Sequence, residues 1–384
     1  MFRFKFPMPL LTLGLALAGL AGTGKAAPRA ATLSADIRVN QIGFHPQAGK
    51  KGVVVNTSAT SFFISTPDLA DTVFKGSLGD AKLYAPSAEQ ARLADFSALR
   101  KPGTYVLGVP DLGVSHPFKI DEHVDVEVTK GAIRGFYYQR ASATLTAANA
   151  GKWARAPGHP DNRVYVHASA ASAARPAETV IAAGKGWYDA GDYNKYVVNS
   201  GISTYTLLAL YHHYPVFFDS LKLNIPESGN NIPDLLDESL WNLRWMMAMQ
   251  DPNDGGVYHK LTSADFSGFV MPEADGAKRY VVQKSVTAAL NLAATAAYAA
   301  RVFRKFDGPL PGFADSALGV ARKAWKWARE NPTATYSQTK MNLSFTPVVN
   351  TGEYGDGSPT DEFFWAGMEL YLATKEDSFF VAAS

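Results

Sequence analysis

The sequence predicts a small antiparallel β-sandwich over residues 36–122 and a larger all-α unit over 127–384. Up to about Glu122, short apolar or alternating runs are broken by turn residues at sandwich-like spacing. From about Val124 the apolar period lengthens towards 3.6, and long loops rich in Gly, Pro and aromatics separate the periodic stretches. Apolar residues make up 47 % of the chain and charged residues 19 %, which suits a large packed core rather than a disordered chain.

In chain order, residues 1–27 read as a secretory signal peptide. Arg3 and Lys5 precede the apolar run Leu10–Leu20, and small residues from Ala21 to Ala27 follow. That run is too short for a permanent membrane span, and no other segment suggests one, so the protein is expected to be secreted or periplasmic. Strands are expected at Gly52–Val55, Ser61–Ile64, Gly103–Val109 and Phe118–Ile120. In the larger unit, Ile133, Phe136, Tyr137 and Arg140 mark a first helix, and Ile232 to Met247 mark another. Val282–Phe303 is Ala-rich, which permits close helix approach, and Leu318–Ala328 and Glu362–Thr374 supply two more. Strand signal is almost absent there, and function is expected on the loops.

The net charge of +2, with no basic run, argues against nucleic acid as a partner. No cysteine is present, so disulfides, thiolate zinc sites and cysteine nucleophiles are excluded. The chemistry concentrates in Gly186-Trp187-Tyr188-Asp189-Ala190-Gly191-Asp192-Tyr193-Asn194-Lys195-Tyr196. Two carboxylates stand three residues apart beside a turn, just before an apolar helical pattern. At a helix mouth, free backbone N–H groups could hold them while their outer oxygens face a cleft and a water. Like charges this close titrate as a pair.

This stretch resembles the signature of glycoside hydrolase family 9, which reads G-W-Y-D-A-G-D-Y-x-K-Y. Arg38-Val39-Asn40-Gln41-Ile42-Gly43-Phe44 and Pro102-Gly103-Thr104-Tyr105 resemble the immunoglobulin-like domain that precedes the catalytic domain in one subgroup. That domain is expected to act as a buttress rather than a carbohydrate-binding module, since no row of exposed aromatics is evident. For the larger unit the resemblance implies an (α/α)6 barrel. About six or seven helices can be counted, so the barrel is expected to be incomplete in this chain.

The resemblance implies an inverting hydrolase acting on β-1,4-linked glucans such as cellulose. Asp192 would be the general base, and Asp189 would help hold the same water. Inversion also needs a protonated carboxyl roughly 6.5–9.5 Å from the base. The family's acid is a Glu in a late motif that has no counterpart here, and Glu362, Glu369 and Glu376 are not substituted for it. Gln250-Asp251-Pro252-Asn253-Asp254-Gly255-Gly256-Val257-Tyr258-His259-Lys260 resembles a cleft-lining loop. Tyr258 and His259 would either contact sugar or close a buried turn. Trp187 and Tyr188 pose the same choice, with packing beneath the catalytic loop preferred. Thr351-Gly352-Glu353-Tyr354-Gly355-Asp356 and Asp361-Glu362 resemble a calcium site, with Asp361, Glu362 and the weaker Asp356 as ligands. His159 and His167 lack the cysteines that bind zinc in many relatives, so no zinc is expected, and the cation-favouring helix end accounts for His212 and His213. The partner would be a β-glucan, with no membrane, and the protein a monomer. The alternatives are a non-catalytic carbohydrate-binding or non-functional truncated product, or an exo-acting enzyme on chitosan oligosaccharides.

Overall fold

The computed structural model describes residues 32–383, so the predicted signal peptide lies outside the described residues. The chain divides into two compact units at Val126 and Glu127.

The first unit is a two-sheet antiparallel sandwich. One sheet runs in the order Ile37–Arg38, Lys51–Val55, Glu89–Asp95, Lys82–Tyr84. The other runs Thr72–Ser77, Ser61–Ser65, Gly103–Val109, Gly113–Val114, with Phe118–Ile120 also paired to Gly103–Val109. Alternation places Phe62, Ile64, Tyr105 and Leu107 inside. Phe44 meets Phe96 and Phe118 edge to face at 5.3 and 5.5 Å, a favoured geometry for ring quadrupoles. Tyr105 donates back to the Lys101 carbonyl at 3.2 Å, the corner contact that Pro102-Gly103-Thr104-Tyr105 foreshadows.

Among the described residues the second unit is built on six long helices, Val126–Tyr138, Val197–His213, Asp234–Ala248, Val286–Phe303, Phe313–Glu330 and Thr360–Thr374. Val286–Phe303 is nearly all buried and packs against Val197–His213, Phe313–Glu330 and Thr360–Thr374. Its alanines permit that approach, and so does Gly201 opposite, where a Cβ would stand 2.5 Å from Asn291 Oδ1. By length and composition this helix could cross a membrane, yet 94 % of its apolar window lies buried within the fold.

The larger unit is helical as expected, but the expectation that it holds almost no strand needs correction. A five-stranded sheet runs Val180–Ile181, Val164–Val166, Tyr280–Val281, Lys260–Thr262, Lys195–Tyr196. Each strand has two or three residues, too few to establish a period of two. The sheet joins loops distant in sequence and sets Tyr196 opposite Lys260. His212 and His213 end the Val197–His213 helix, exposed, as expected.

Candidate active site

Gly186 begins the loop at φ +83°, and a Cβ there would meet the Trp245 ring at 2.7 Å, so only glycine fits. Trp187 follows, buried. Its backbone N–H donates to Asn242 Oδ1 at 3.1 Å and its indole N–H to Glu238 at 2.7 Å. Arg140 in turn donates to Glu238 at 3.1 Å and to Glu227 at 3.0 Å. Tyr188 is also buried, against His159 Nδ1 at 2.8 Å. Both aromatics brace the loop from beneath, and burial leaves neither a sugar platform.

The far side of the loop is held by Asp161, which is buried and bridges Lys195 at 2.7 Å and Arg279 at 2.9 Å. Arg279 also donates to the Tyr193 carbonyl at 2.7 Å. The two cations hold the Asp161 carboxyl below the usual carboxylate range, against the upward push of its burial. Asp192 is thus flanked by fixed backbone on its C-terminal side.

Asp189 and Asp192 are both half-buried, but their partners differ. Asp189 uses both oxygens, accepting from Asn199 Nδ2 at 2.7 Å and from the Tyr354 hydroxyl at 2.8 Å. Asp192 accepts twice on one oxygen, from Asn194 Nδ2 at 2.6 Å and from Tyr196 at 3.0 Å. Among the described residues its other oxygen, Oδ1, has no hydrogen-bond partner. A carboxylate pinned on one oxygen and open on the other is arranged to accept a proton from water.

The expected helix-mouth anchoring does not occur. The helix begins at Val197, capped by Tyr196 with no side-chain cap, and side chains rather than free backbone N–H groups hold both aspartates. A cleft of 320 Å³ opens beside the loop, lined in part by Gly135, Phe136, Trp187, Asp189, Tyr196 and Asn199.

Tyr258 and His259 are corrected as sugar contacts, because neither exposes a face on which a sugar could stack. Tyr258 sits between Asp251 and Arg175, each at 3.2 Å. His259 stacks on Tyr336 at 4.0 Å, with Ser285 Oγ and the Glu353 carbonyl each at 2.8 Å from a ring nitrogen. Burial pushes its imidazole down to about 4, so it stays neutral and donates to Glu353. His167, also buried, is engaged by Ser169 and the Pro347 carbonyl.

Asp356, Asp361 and Glu362 come together with one carboxylate oxygen from each within 4.8 Å of the others. Asp361 sits in the first turn of the Thr360–Thr374 helix rather than capping it. Glu362 Oε2 is buried with no partner, and burial followed by Asp361 pushes this carboxyl up to about 7. An orphaned buried oxygen among convergent carboxylates fits a hard cation such as calcium, with further oxygens from backbone or water.

Sequence reasoning quoted Asn194, Tyr196, Tyr354 and Lys260 but gave them no role. Asn194 and Tyr196 lie in the motif itself, whereas Tyr354 is 165 residues from the aspartate it touches.

The chain resembles known proteins over about nine tenths of its length. The family model described as glycosyl hydrolase family 9 matches residues 126–384, and the cellulase N-terminal ig-like domain matches 32–114. The xyloglucan-specific endo-beta-1,4-glucanase BoGH9A of Bacteroides ovatus is 47 % identical over 342 residues, covering 89 % of this chain and 58 % of that protein. Endoglucanase D of Acetivibrio thermocellus is 32 % identical over 345 residues, 89 % of this chain and 52 % of its own. A solved Bacteroides ovatus GH9 structure superposes with a TM-score of 0.87 at 46 % identity, over 91 % of this chain and 63 % of that one. The chain thus spans little more than half the length of the curated relatives it matches.

Proposed function

The chain belongs to glycosyl hydrolase family 9, and on that premise we propose that the protein hydrolyses β-1,4-glucosidic bonds in a β-glucan with inversion. Asp192 is the general base, taking a proton from water through its open oxygen. Asp189, satisfied on both oxygens, orders the neighbourhood. The asymmetry between the two aspartates is the observation that carries this reading. The carboxyl acid that must protonate the leaving oxygen is assigned to no residue of this chain.

The names of the relatives point to endo-acting glucanases, one of them specific for xyloglucan. Assays of the protein in full on xyloglucan, soluble cellulose derivatives and chitosan oligosaccharides separate these from the exo-acting alternative. Asp192→Ala is expected to lower kcat by about a thousandfold, within the range for a general base, with polysaccharide binding kept. Unchanged turnover in that variant refutes the assignment. NMR of the first product anomer decides between inversion and retention.

Asp356, Asp361 and Glu362 would hold a calcium ion, whose chemistry is to neutralise converging carboxylates and brace the loop that carries Tyr354. EDTA is expected to lower Tm by a few degrees, as loss of a bound ligand does, and added calcium to restore it. A Tm indifferent to both rejects the site.

A further inference from the structure

Lys260 is fully buried, and among the described residues no carboxylate stands within 4.0 Å of its ammonium. A buried cation is expensive unless its donors are satisfied, and one without a counter-ion is uncommon. Here all three N–H donors are used on neutral oxygens: Gln338 Oε1 at 2.6 Å, Thr351 Oγ1 at 2.9 Å and the Gly352 carbonyl at 2.6 Å. Gln338 repeats the grip, donating to the Thr351 carbonyl at 2.8 Å. All this fixes Thr351–Tyr354, a segment that otherwise becomes exposed from Glu353 onward.

That segment touches Asp189 directly and reaches Asp192 through Tyr196. The Gly352 N–H donates to the Tyr196 hydroxyl at 3.1 Å, leaving that hydroxyl to donate to Asp192. Two residues on, Tyr354 donates to Asp189. A side branch runs through the Thr351 hydroxyl to Thr262 at 2.7 Å, and from Thr262 to Asn194 Oδ1 at 3.0 Å. With its oxygen so occupied, Asn194 turns its amide N–H towards Asp192. One donor to Asp192, Tyr196, and one of the two to Asp189, Tyr354, therefore trace back to the segment that Lys260 holds, while Asn194 is shared between that branch and the Ser263 N–H, which donates to its Oδ1 at 2.9 Å.

We propose that Lys260 is a positioning residue that sets both aspartates, acting through Gly352–Tyr196 on Asp192 and through Tyr354 on Asp189. It rests on the hydrolase reading above, but its geometry can be tested apart from activity. Burial pushes the ammonium down to about 7, the expected direction for a lysine held without a counter-ion.

The test is a double-mutant cycle in the full-length protein, on a soluble β-glucan. Lys260→Met alone is expected to lower kcat by about thirtyfold with KM within about twofold, the mark of geometry lost at the reacting groups rather than of binding. In a Tyr196→Phe, Tyr354→Phe background the same change is expected to cost less than about threefold, because residues in one network are not additive. Losses that multiply, or an unchanged kcat, overturn the proposal. If Lys260→Met fails to fold, Thr351→Val removes one of the three ammonium contacts, together with the bridge to Thr262, and leaves the charge satisfied by two; it is expected to give a smaller loss of the same coupled kind, and no loss overturns the proposal. In protein labelled with 13C-aspartate, two carboxyl resonances, assigned by Asp189→Asn and Asp192→Asn, are expected to move in Thr351→Val. Resonances that stay in place reject the positioning role, whereas a parent protein that hydrolyses no β-glucan sinks the hydrolase reading alone.

Discussion

The sandwich core is built of carbon, while the helical unit carries buried charge through its centre. In the first unit Phe44, Phe96 and Phe118 meet around Val54, Ile64 and Leu107, and Lys50 is its one charged side chain in the buried class among the described residues. Lys50 donates to two nearby carbonyls, Pro46 and Ala48, both at 2.8 Å. Among the described residues the second unit buries ten Asp, Glu, Lys and Arg side chains, and six of them, Arg140, Asp161, Lys195, Glu238, Lys260 and Arg279, contact the Gly186–Tyr196 loop or belong to it. Apolar packing holds shape without fixing any one oxygen, whereas hydrogen-bonded charge fixes atoms. Burying a charge is a poor route to stability. Its concentration beneath one loop marks where position matters more than stability.

The contrast breaks most sharply at Asp161. Asp161→Asn leaves Lys195 and Arg279 facing each other without a carboxylate. It is expected to cost about 4 kcal/mol in the helical unit, as loss of one partner in a buried pair does. Denaturant melts should show the helical transition moving alone; an unchanged helical midpoint would mean that the pair contributes nothing. The counterpart in the sandwich is Phe96→Ala, expected to cost about 3 kcal/mol through its cavity. Its kcat should match the parent, and a lowered kcat in folded protein would show that the sandwich core also sets the site.

A smaller effect sharpens the comparison through pH. Asp237 is 6 % exposed, and burial pushes its carboxyl up to about 7, with Asn230 at 3.1 Å opposing. Since the folded value lies above the unfolded one, this group's stabilisation is complete below about pH 4 and is lost as pH rises through about 7. Asp237→Asn removes that loss. Between pH 5 and pH 8 the variant should gain about 2 kcal/mol relative to the parent, once solvent screening is allowed for. Parallel stability curves for the two proteins would reject the elevated carboxyl.

The division into sandwich and helices is legible in the sequence because alternation and the 3.6 period are local patterns. So is the aspartate pair, since eleven adjacent residues carry it. The small sheet is not, because Lys195–Tyr196 and Tyr280–Val281 have only two residues each and owe their pairing to partners far along the chain. Nor can local reading place the donors to the aspartates. Asp at a helix start ordinarily suggests backbone capping, but here Asn194, Tyr196, Asn199 and Tyr354 have taken that part. Tyr258 and His259 show the converse. A polar aromatic pair after a Gly-Gly turn looks available to ligand until the fold closes over it.

The Thr351–Tyr354 segment reaches Tyr196 and Asp189 from 156 and 165 residues away, and its outer residues stand in solvent. Exposed stretches with few apolar contacts open at a lower free energy than the core beneath them. On warming, this clasp is expected to come undone while the helices still stand, so the surroundings of the two aspartates should loosen before the circular dichroism changes. The interval between those two temperatures measures how firmly the chain keeps its late-arriving hand on its early-made aspartates.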